Sequence, residues 1–199
     1  MYPRPDFFPT STLNFAENLL YPCSNPDPES IAIIQANESS SSSITWAELR
    51  ERVRRCAIAL AELDIRPHDR VAGFLGNHAN TLVAAMAAAS LGAIWTGVSP
   101  DTGVHAVLER LVQIEPKVLF VDNAVEYNGR IHSSGVKTTG IVEGLKGKGL
   151  SAVVVFETVE GAESGVETIR TVLDDGSKAF KYADFIEWYV SRNLHSLLL

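Results

Sequence analysis

The sequence predicts an α/β fold, namely part of a doubly wound, mostly parallel β-sheet with helices on both faces. From residue 70 onward, short apolar runs alternate with longer stretches of helical periodicity, which is the element order of such a sheet. The runs are apolar at consecutive positions, as expected for strands buried on both faces. With 199 residues and 46% hydrophobic content, the chain is long enough to enclose its own core.

A lead segment, residues 1–43, precedes the predicted domain. After a proline-rich start, apolar positions at helical spacing predict a short amphipathic helix over 13–20, which Pro22 closes. A strand is predicted at 31–34. The serine-rich run 37–43 then predicts a solvated hairpin tip.

Residues 44–199 form the predicted α/β domain, which opens with a short strand at Ile44 and a helix that runs to about Leu63. Thr45 and Glu48 match a capping box, in which each side chain binds a free backbone amide at the helix start. One apolar stripe is predicted to face the core: Leu49, Val53, Cys56, Ala57, Leu60 and Leu63.

The arginines at 50–55 have acidic partners at i,i+4 spacing, Glu48 with Arg52 and Glu51 with Arg55. We therefore interpret them as a paired solvent face rather than a phosphate site.

The remaining elements alternate along the chain. Strands are predicted at 70–75, 93–98, 117–121 and 152–156. The alanine-rich run that ends at Leu91 predicts a helix, and further helices are predicted at 103–114 and at 182–190. Residues 174–177 are predicted to form a turn-rich segment.

Charge and composition exclude several classes of partner. A net charge of −7 argues against a nucleic-acid or anionic-membrane surface, because either would need a basic patch. The longest apolar run, 82–95, is shorter than the ~20 residues that cross a bilayer. Residues 1–6 contain two prolines and no apolar run, so we predict no targeting segment there.

The two cysteines, Cys23 and Cys56, have neither disulfide-framework nor metal-ligand spacing. We expect both thiols to be structural, as buried free cysteines usually are. Their usage favours a reducing compartment, and we predict a cytoplasmic protein.

Residues 95–103 are a candidate ligand-binding connection, because ligands of open parallel sheets meet the loops at the carboxyl ends of strands. Gly97 lets a ligand approach the backbone, and Ser99, Asp101 or Thr102 is a candidate cap for the next helix. The alternative is a capped β-to-α connection with no ligand.

The other polar residues give no catalytic site. The five histidines lack metal-ligand spacing and a nucleophile partner, so surface or loop roles are expected: His68, His78, His105, His132 and His195. Glu48 and Asp101 each have a capping explanation, so no catalytic residue is assigned.

Two motifs resemble the adenylate-forming acyl-CoA synthetases: Ile-Thr-Trp-Ala-Glu-Leu at 44–49 and Leu-Gly-Ala-Ile-Trp-Thr-Gly-Val-Ser-Pro-Asp at 91–101. Their order and separation match the first two core motifs of that superfamily, with Asp-Ile-Arg-Pro-His-Asp-Arg-Val at 64–71 between them. Residues 7–20 and 113–120 resemble the acetoacetyl-CoA synthetases within it. By this resemblance, the chain is identified as the first lobe of the large amino-terminal domain of these ligases.

The resemblance implies an ATP-dependent acid–CoA ligase that converts acetoacetate, ATP and CoA to acetoacetyl-CoA, AMP and pyrophosphate with Mg²⁺ present. In related acetyl-CoA synthetases, the segment matching Trp95, Thr96 and Gly97 lies against CoA, and a basic residue matching Arg130 meets its phosphorylated nucleotide end. Thr96 replaces a glycine of those enzymes, and Tyr127 stands where they have a second arginine. An exposed loop arginine without a ligand is the alternative for Arg130.

The family's Ser/Thr/Gly-rich phosphate loop, ribose-binding aspartate and carboxyl-terminal lysine have no counterpart in the sequence. Residues 135–140, Gly-Val-Lys-Thr-Thr-Gly, resemble the loop only superficially, and we interpret them as a helix start. We expect the missing parts beyond Leu199, so the chain alone is expected to be inactive and to bind CoA at most. It would be an incomplete gene prediction, a portion of a longer chain or a degraded gene.

Two other functions stay open. One is a non-catalytic CoA-binding or regulatory protein derived from such a ligase. The other is an unrelated doubly wound nucleotide-binding domain, although the usual glycine-rich phosphate fingerprints are missing. A sheet cut off at the end of this chain would leave an edge strand uncovered, through which we predict self-association.

Overall fold

The structure is a computed structural model that describes residues 12–38, 40–173 and 176–196, with side chains described as far as Tyr189 in the last helix. The start of the motif at 7–20, residues 197–199, the side chain of His195 and part of the turn at 174–177 lie outside this description.

Helices and strands alternate as the sequence predicts. The helices are α1 (Phe15–Leu20), α2 (Trp46–Glu62), α3 (Ala79–Ser90), α4 (Val104–Ile114), α5 (Gly135–Gly144), α6 (Val166–Val172) and α7 (Tyr182–Ser196). The strands are β1 (Ile31–Ala36), β2 (Ser41–Thr45), β3 (Arg70–Phe74), β4 (Ile94–Val98), β5 (Val118–Asp122), β6 (Ala124–Tyr127), β7 (Arg130–Ser133), β8 (Ala152–Phe156) and β9 (Lys178–Lys181).

Five strands form one parallel sheet in the order β4-β3-β5-β8-β9. Every residue of β5 and β8 is buried, as expected for central strands covered on both faces. The predicted doubly wound α/β fold is therefore confirmed. Self-association stays a prediction, and the edge strands of this sheet are β4 and β9.

The sheet separates two apolar cores. One contains side chains of α1, α2, α3 and α7, with Phe120 and Phe156 projecting from the sheet into it. The other contains side chains of α4, α5 and α6, with Phe74 and Leu119 from the sheet. Because all five strands are parallel, their carboxyl ends meet at one edge of the sheet.

The capping box that begins α2 is confirmed. Thr45 Oγ1 accepts a hydrogen bond from the Glu48 amide at 3.2 Å, and Glu48 Oε2 accepts one from the Thr45 amide at 2.9 Å. Five apolar side chains of this helix are buried: Leu49, Val53, Cys56, Ala59 and Leu60. Ala57 and Leu63 of the predicted stripe are partly buried against the same core.

The arginine pairing on α2 differs from the prediction. Arg54, at i,i+3, donates two bonds of 2.8 Å to Glu51, while Glu48 is engaged in the capping box. Arg50 donates to the Leu20 carbonyl at 2.9 Å and lies over the Tyr21 ring. Because i,i+3 spacing allows a short bidentate contact of the guanidinium, Glu51 pairs with Arg54 rather than with Arg55.

An ion pair closes the opposite, amino-terminal edge of the sheet. Asp69 Oδ2 accepts hydrogen bonds from Lys117 Nζ and from the Arg66 amide, both at 2.8 Å. Burial alone would raise the pKa of the Asp69 carboxyl, but these hydrogen bonds outweigh burial and lower the pKa. The motif at 64–71 therefore has a structural role in joining β3 to β5.

Three elements were not predicted: the antiparallel hairpin β6–β7, helix α6 and edge strand β9. The hairpin turns at Asn128 and Gly129, which both have positive φ, as a two-residue Asn-Gly turn requires. Within the described residues, no helix is long and apolar enough to cross a membrane.

Candidate functional site

A cleft of about 620 Å³ lies at the carboxyl-terminal edge of the sheet. Its floor is formed by the residues that follow β3, β5 and β8. One wall is the β1–β2 hairpin and the other is the β6–β7 hairpin. This is the edge at which open α/β sheets bind ligands.

A buried side-chain pair builds the floor of this cleft. Asp122, at the end of β5, accepts bonds from the Gly76 amide at 2.7 Å and from His78 Nε2 at 2.9 Å. The Thr81 amide donates to His78 Nδ1 at 3.3 Å. His78 Nδ1 is therefore the acceptor nitrogen and Nε2 carries the proton.

His78 lies in the β3–α3 loop, as expected, but it is not a surface residue, because its side chain is only 12% exposed and that of Asp122 only 2%. His78 is also the N-cap of α3. The histidine–aspartate pair thus fixes the β3–α3 loop onto the neighbouring strand. The Thr81 hydroxyl lies 3.4 Å from His78 Nε2, but it donates its proton to the Gly76 carbonyl at 2.7 Å, so this contact is structural. His68, His105 and His132 are exposed, as expected.

Asn123 fixes the next loop. Its Nδ2 donates to the carbonyls of Val159 and Ala162, and its Oδ1 accepts from the amides of Ala124, Thr158 and Val159. Asn123 is 2% exposed. A buried amide with this many partners holds the 157–162 segment rigidly at the cleft, and its role is structural.

The structure places the candidate residues Trp95, Thr96 and Gly97 in edge strand β4 rather than in a loop. Trp95 is half-buried, with its ring centroid 6.3 Å from that of Phe120. A Cβ on Gly73 of β3 would lie 2.7 Å from the Trp95 ring. The indole therefore packs directly over Gly73, and its position leaves no room for a side chain there.

The predicted capping of α4 is wrong. Its N-cap is Gly103, which provides no side-chain hydrogen bond. Ser99 and Asp101 instead bond to each other within the loop, with the Asp101 amide 3.3 Å from Ser99 Oγ. The loop after β4 is thus held by its own short turn, so neither side chain reaches the helix.

Trp95 and Gly97 meet Tyr127 in a second cleft of about 450 Å³, between β4 and the β6–β7 hairpin. Thr96 and Arg130 are not among the residues that line it. Arg130 begins β7, opposite Tyr127 across the turn, and is exposed. Its side chain has no hydrogen bond or ion pair among the described residues, so the guanidinium is available to an anion.

A carboxylate contacts the same turn. Glu38, beyond the end of β1, accepts bonds from the amides of Asn128 at 3.0 Å and Gly129 at 2.9 Å, one to each oxygen. These two hydrogen bonds lower the pKa of the Glu38 carboxyl. The two hairpins that wall the larger cleft are therefore joined at their tips.

Residues 135–140 begin helix α5, as predicted for a helix start. Gly135 follows the N-cap Ser134, which makes no side-chain capping bond. Lys137 donates to the Pro100 carbonyl at 2.7 Å. This lysine therefore supports the loop after β4.

The two thiols differ in environment. Cys56 is buried, as expected, whereas Cys23 is exposed, so the structural role expected for Cys23 is not supported by burial. The pKa of the Cys56 thiol is raised to about 12, because the effect of burial, which raises the pKa, is larger than that of the hydrogen bond to Tyr182, which lowers it. Burial also raises the pKa of Tyr182. A thiol with this pKa is protonated at neutral pH and is not a nucleophile.

In the described part of the chain, no group of three or more acidic, histidine or cysteine side chains has a metal-binding arrangement.

Comparison with known proteins gives consistent matches. The profile of the family described as AMP-binding enzyme matches residues 23–175. The chain is 55% identical over 166 residues to the malonamoyl-CoA synthetase vrtB of Penicillium aethiopicum, covering 82% of this chain and 23% of that protein. It is 40% identical over 162 residues to the acetoacetyl-CoA synthetase of Gallus gallus, covering 80% of this chain and 24% of that protein.

A solved structure has the same fold. The acetoacetyl-CoA synthetase from Streptomyces lividans matches with a TM-score of 0.76 and 33% identity, over 91% of this chain and 26% of that one. The chain thus spans about a quarter of the length of the curated relatives it matches. These matches confirm the family predicted from the two motifs: the chain belongs to the AMP-binding enzymes, the group of the acid–CoA ligases.

Proposed function

We propose that the chain is the amino-terminal part of an ATP-dependent acid–CoA ligase and that it carries the contact for the nucleotide end of CoA. The observation that carries this proposal is Arg130. Its guanidinium is exposed and unpaired among the described residues, on a hairpin whose Tyr127 shares a cleft with Trp95 and Gly97. A guanidinium binds phosphate oxygens bidentately, and an exposed glycine in β4 lets a ligand approach the backbone.

The reaction of the whole enzyme has two steps. The acid's carboxylate attacks the α-phosphorus of ATP with Mg²⁺ present and releases pyrophosphate, and the CoA thiol then displaces AMP from the acyl-adenylate. ATP and Mg²⁺ would be held by later segments of the longer protein, so the 199-residue chain is inactive alone. Its own contribution is to bind and orient CoA, which lowers the entropic cost of the second step. We place the protein in the cytoplasm.

The acid is proposed to be a short 3-oxo acid. Two relatives carry the names malonamoyl-CoA synthetase and acetoacetyl-CoA synthetase. Malonamate and acetoacetate both have a carbonyl carbon two bonds from the carboxyl carbon. On that carbonyl carbon, malonamate carries an amino group and acetoacetate carries a methyl group. Acetoacetate is our first candidate. The 55% identity to the malonamoyl enzyme makes malonamate the second.

A non-catalytic CoA-binding protein is the alternative function. It uses the same Arg130 contact, and the two proposals differ only in whether a full-length ligase exists. Acid-dependent release of pyrophosphate by the full-length protein supports the ligase. A full-length protein that binds CoA and releases no pyrophosphate with either acid contradicts it.

Substituting Arg130→Ala tests the CoA contact. Loss of a charge-assisted bidentate pair, worth about 1.5–3 kcal/mol per bond when made to a charged group, is expected to weaken CoA binding at least about 10-fold. The measurement is calorimetric titration of the folded, monodisperse chain. Arg110→Ala, on the exposed surface of α4, is the matched control and is expected to bind CoA like the unmodified chain. Equal CoA affinity in the Arg130 and Arg110 variants would exclude Arg130 from the site.

A further inference from the structure

Strand β1 borders a groove of about 420 Å³ to which strand β2 contributes no residue. Residues 33–36 of β1 all line this groove. The facing wall is helix α3 with Ala79, Leu82 and Ala85, together with Trp95 of β4. Successive side chains of a strand point to opposite faces of its sheet. A groove lined by four consecutive strand residues therefore runs along the edge of β1 rather than over one face.

The backbone of β1 has an open edge in the described part of the chain. β1 and β2 form a two-stranded antiparallel sheet, and no other described strand or turn bonds to the β1 backbone. In an antiparallel pair, alternate residues direct their N–H and C=O groups away from the partner strand. Every second residue of β1 therefore presents a donor and an acceptor to the groove.

Strand β1 has no charged side chain that would oppose a further strand. Residues 30–37 are uncharged, and Ile31 and Ile34 are 57% and 71% exposed. Natural edge strands usually carry charges, especially lysine, which prevent pairing with another chain. Strand β9, an edge of the main sheet, has Lys178 and Lys181 at its two ends. β1 lacks this protection, and its exposed isoleucines favour burial against an added strand.

Strand β4, an uncharged edge of the main sheet, is less suited to strand addition. It contains Gly97, and a glycine weakens the interior of a strand. β4 already belongs to a five-stranded sheet, whereas β1 belongs to a two-stranded one. Because a two-stranded sheet is marginally stable by itself, β1 gains more from an added strand than β4 does.

A second copy of the chain provides a matching strand. Rotation about a two-fold axis beside Ile34 sets two β1 strands antiparallel, with each Ile34 opposite its own copy. The hydrogen bonds are then reciprocal, and no like charges face each other because the strand is uncharged. The two hairpins become one sheet in the order β2-β1-β1-β2, in which β1 of each copy enters the groove of the other.

We propose that the chain forms a two-fold symmetric dimer through the free edge of β1, with Ile34 at the centre of the contact. The dimer does not depend on the proposed function, because the contact makes no use of Arg130 or of CoA. β1 also lines the larger cleft, so the dimer holds that wall in place. A contact of one strand pair is small, and we expect weak association with a Kd on the order of 10–100 µM.

Sedimentation equilibrium of the 199-residue chain, at concentrations below and above that Kd, measures the association. Ile34→Lys is expected to raise the Kd by at least about 10-fold, since a charge on an edge strand opposes pairing. Its circular dichroism is expected to match the unmodified chain, because Ile34 is exposed in the monomer. Ile94→Lys is the matched control on the β4 edge, where Ile94 is 52% exposed, and it is expected to change the Kd by less than about 2-fold.

Amide hydrogen exchange gives a second readout of the same contact. Alternate amides of β1 are expected to exchange more slowly as the chain concentration rises, while amides of β4 exchange at a constant rate. A chain that is monomeric at every concentration overturns the proposal and leaves the β1 edge to a strand of the longer ligase. A dimer that persists in Ile34→Lys also overturns it, and loss of that dimer in Ile94→Lys would place the contact on β4.

Discussion

Substituting Phe120→Ala is expected to lower the free energy of unfolding by about 3–5 kcal/mol. Phe120 lies on central strand β5 and is 0% exposed. Its ring stacks on Phe156 at a centroid distance of 5.6 Å and contacts Phe185 edge-on at 6.3 Å. Removing the ring leaves a cavity where helix α7, the sheet and Trp95 meet, which close-packed neighbours fill only partly.

Urea unfolding, followed by far-ultraviolet circular dichroism, measures this loss. Phe15→Ala is the matched control, because that ring is 65% exposed on α1, and it is expected to change the unfolding free energy by less than about 1 kcal/mol. A loss of similar size in both variants would show that Phe120 is not at the centre of the core.

Substituting Asp122→Ala is expected to cost about 2–4 kcal/mol of stability, because it leaves the Gly76 amide and His78 Nε2 without their acceptor. A buried donor that loses its partner costs about 1–3 kcal/mol. The loop between β3 and α3 should become mobile, and hydrogen exchange at Gly76 should accelerate more than exchange in β8.

The control for this substitution is Asp101→Ala, since Asp101 is exposed in the loop after β4. Its unfolding free energy is expected to stay within about 0.5 kcal/mol of the unmodified chain. Unchanged stability and unchanged exchange at Gly76 in Asp122→Ala would mean that the His78–Asp122 pair does not hold the cleft floor.

Local patterns in the sequence predict the central sheet well. Strands β5 and β8 are short, almost wholly apolar runs, and burial on both faces requires that composition. Strand β3 is buried at four of its five positions, whereas edge strand β4 is only partly covered. The capping box at Thr45 predicts the start of α2 because its two hydrogen bonds are local.

The elements that were missed are short, with four to seven residues each. All four residues of β7 are exposed, so neither alternation nor an apolar run marks the strand. β9 begins and ends with lysine, which is typical of an edge strand. The Asn128-Gly129 pair was the one local signal for the β6–β7 hairpin, and it is a strong one.

The sequence predicts only part of the candidate site, because many contacts in that site depend on the fold. Its contacts join residues that are distant in sequence: His78 and Asp122 are 44 positions apart, and Glu38 and Gly129 are 91 apart. Such pairs depend on which strands are neighbours, and strand order is not encoded in local periodicity. The family resemblance provided Trp95, Thr96, Gly97 and Arg130, whereas Glu38 and the floor pair required the fold.

The measurement that tests the central claim most directly is calorimetric titration of the purified 199-residue chain with CoA and, separately, with magnesium-ATP. We expect heat from CoA binding and none from magnesium-ATP, because in the proposed function this chain contacts the nucleotide end of CoA and other segments of the ligase bind ATP. Tight binding of magnesium-ATP, or a folded chain that gives no heat with CoA, would contradict it.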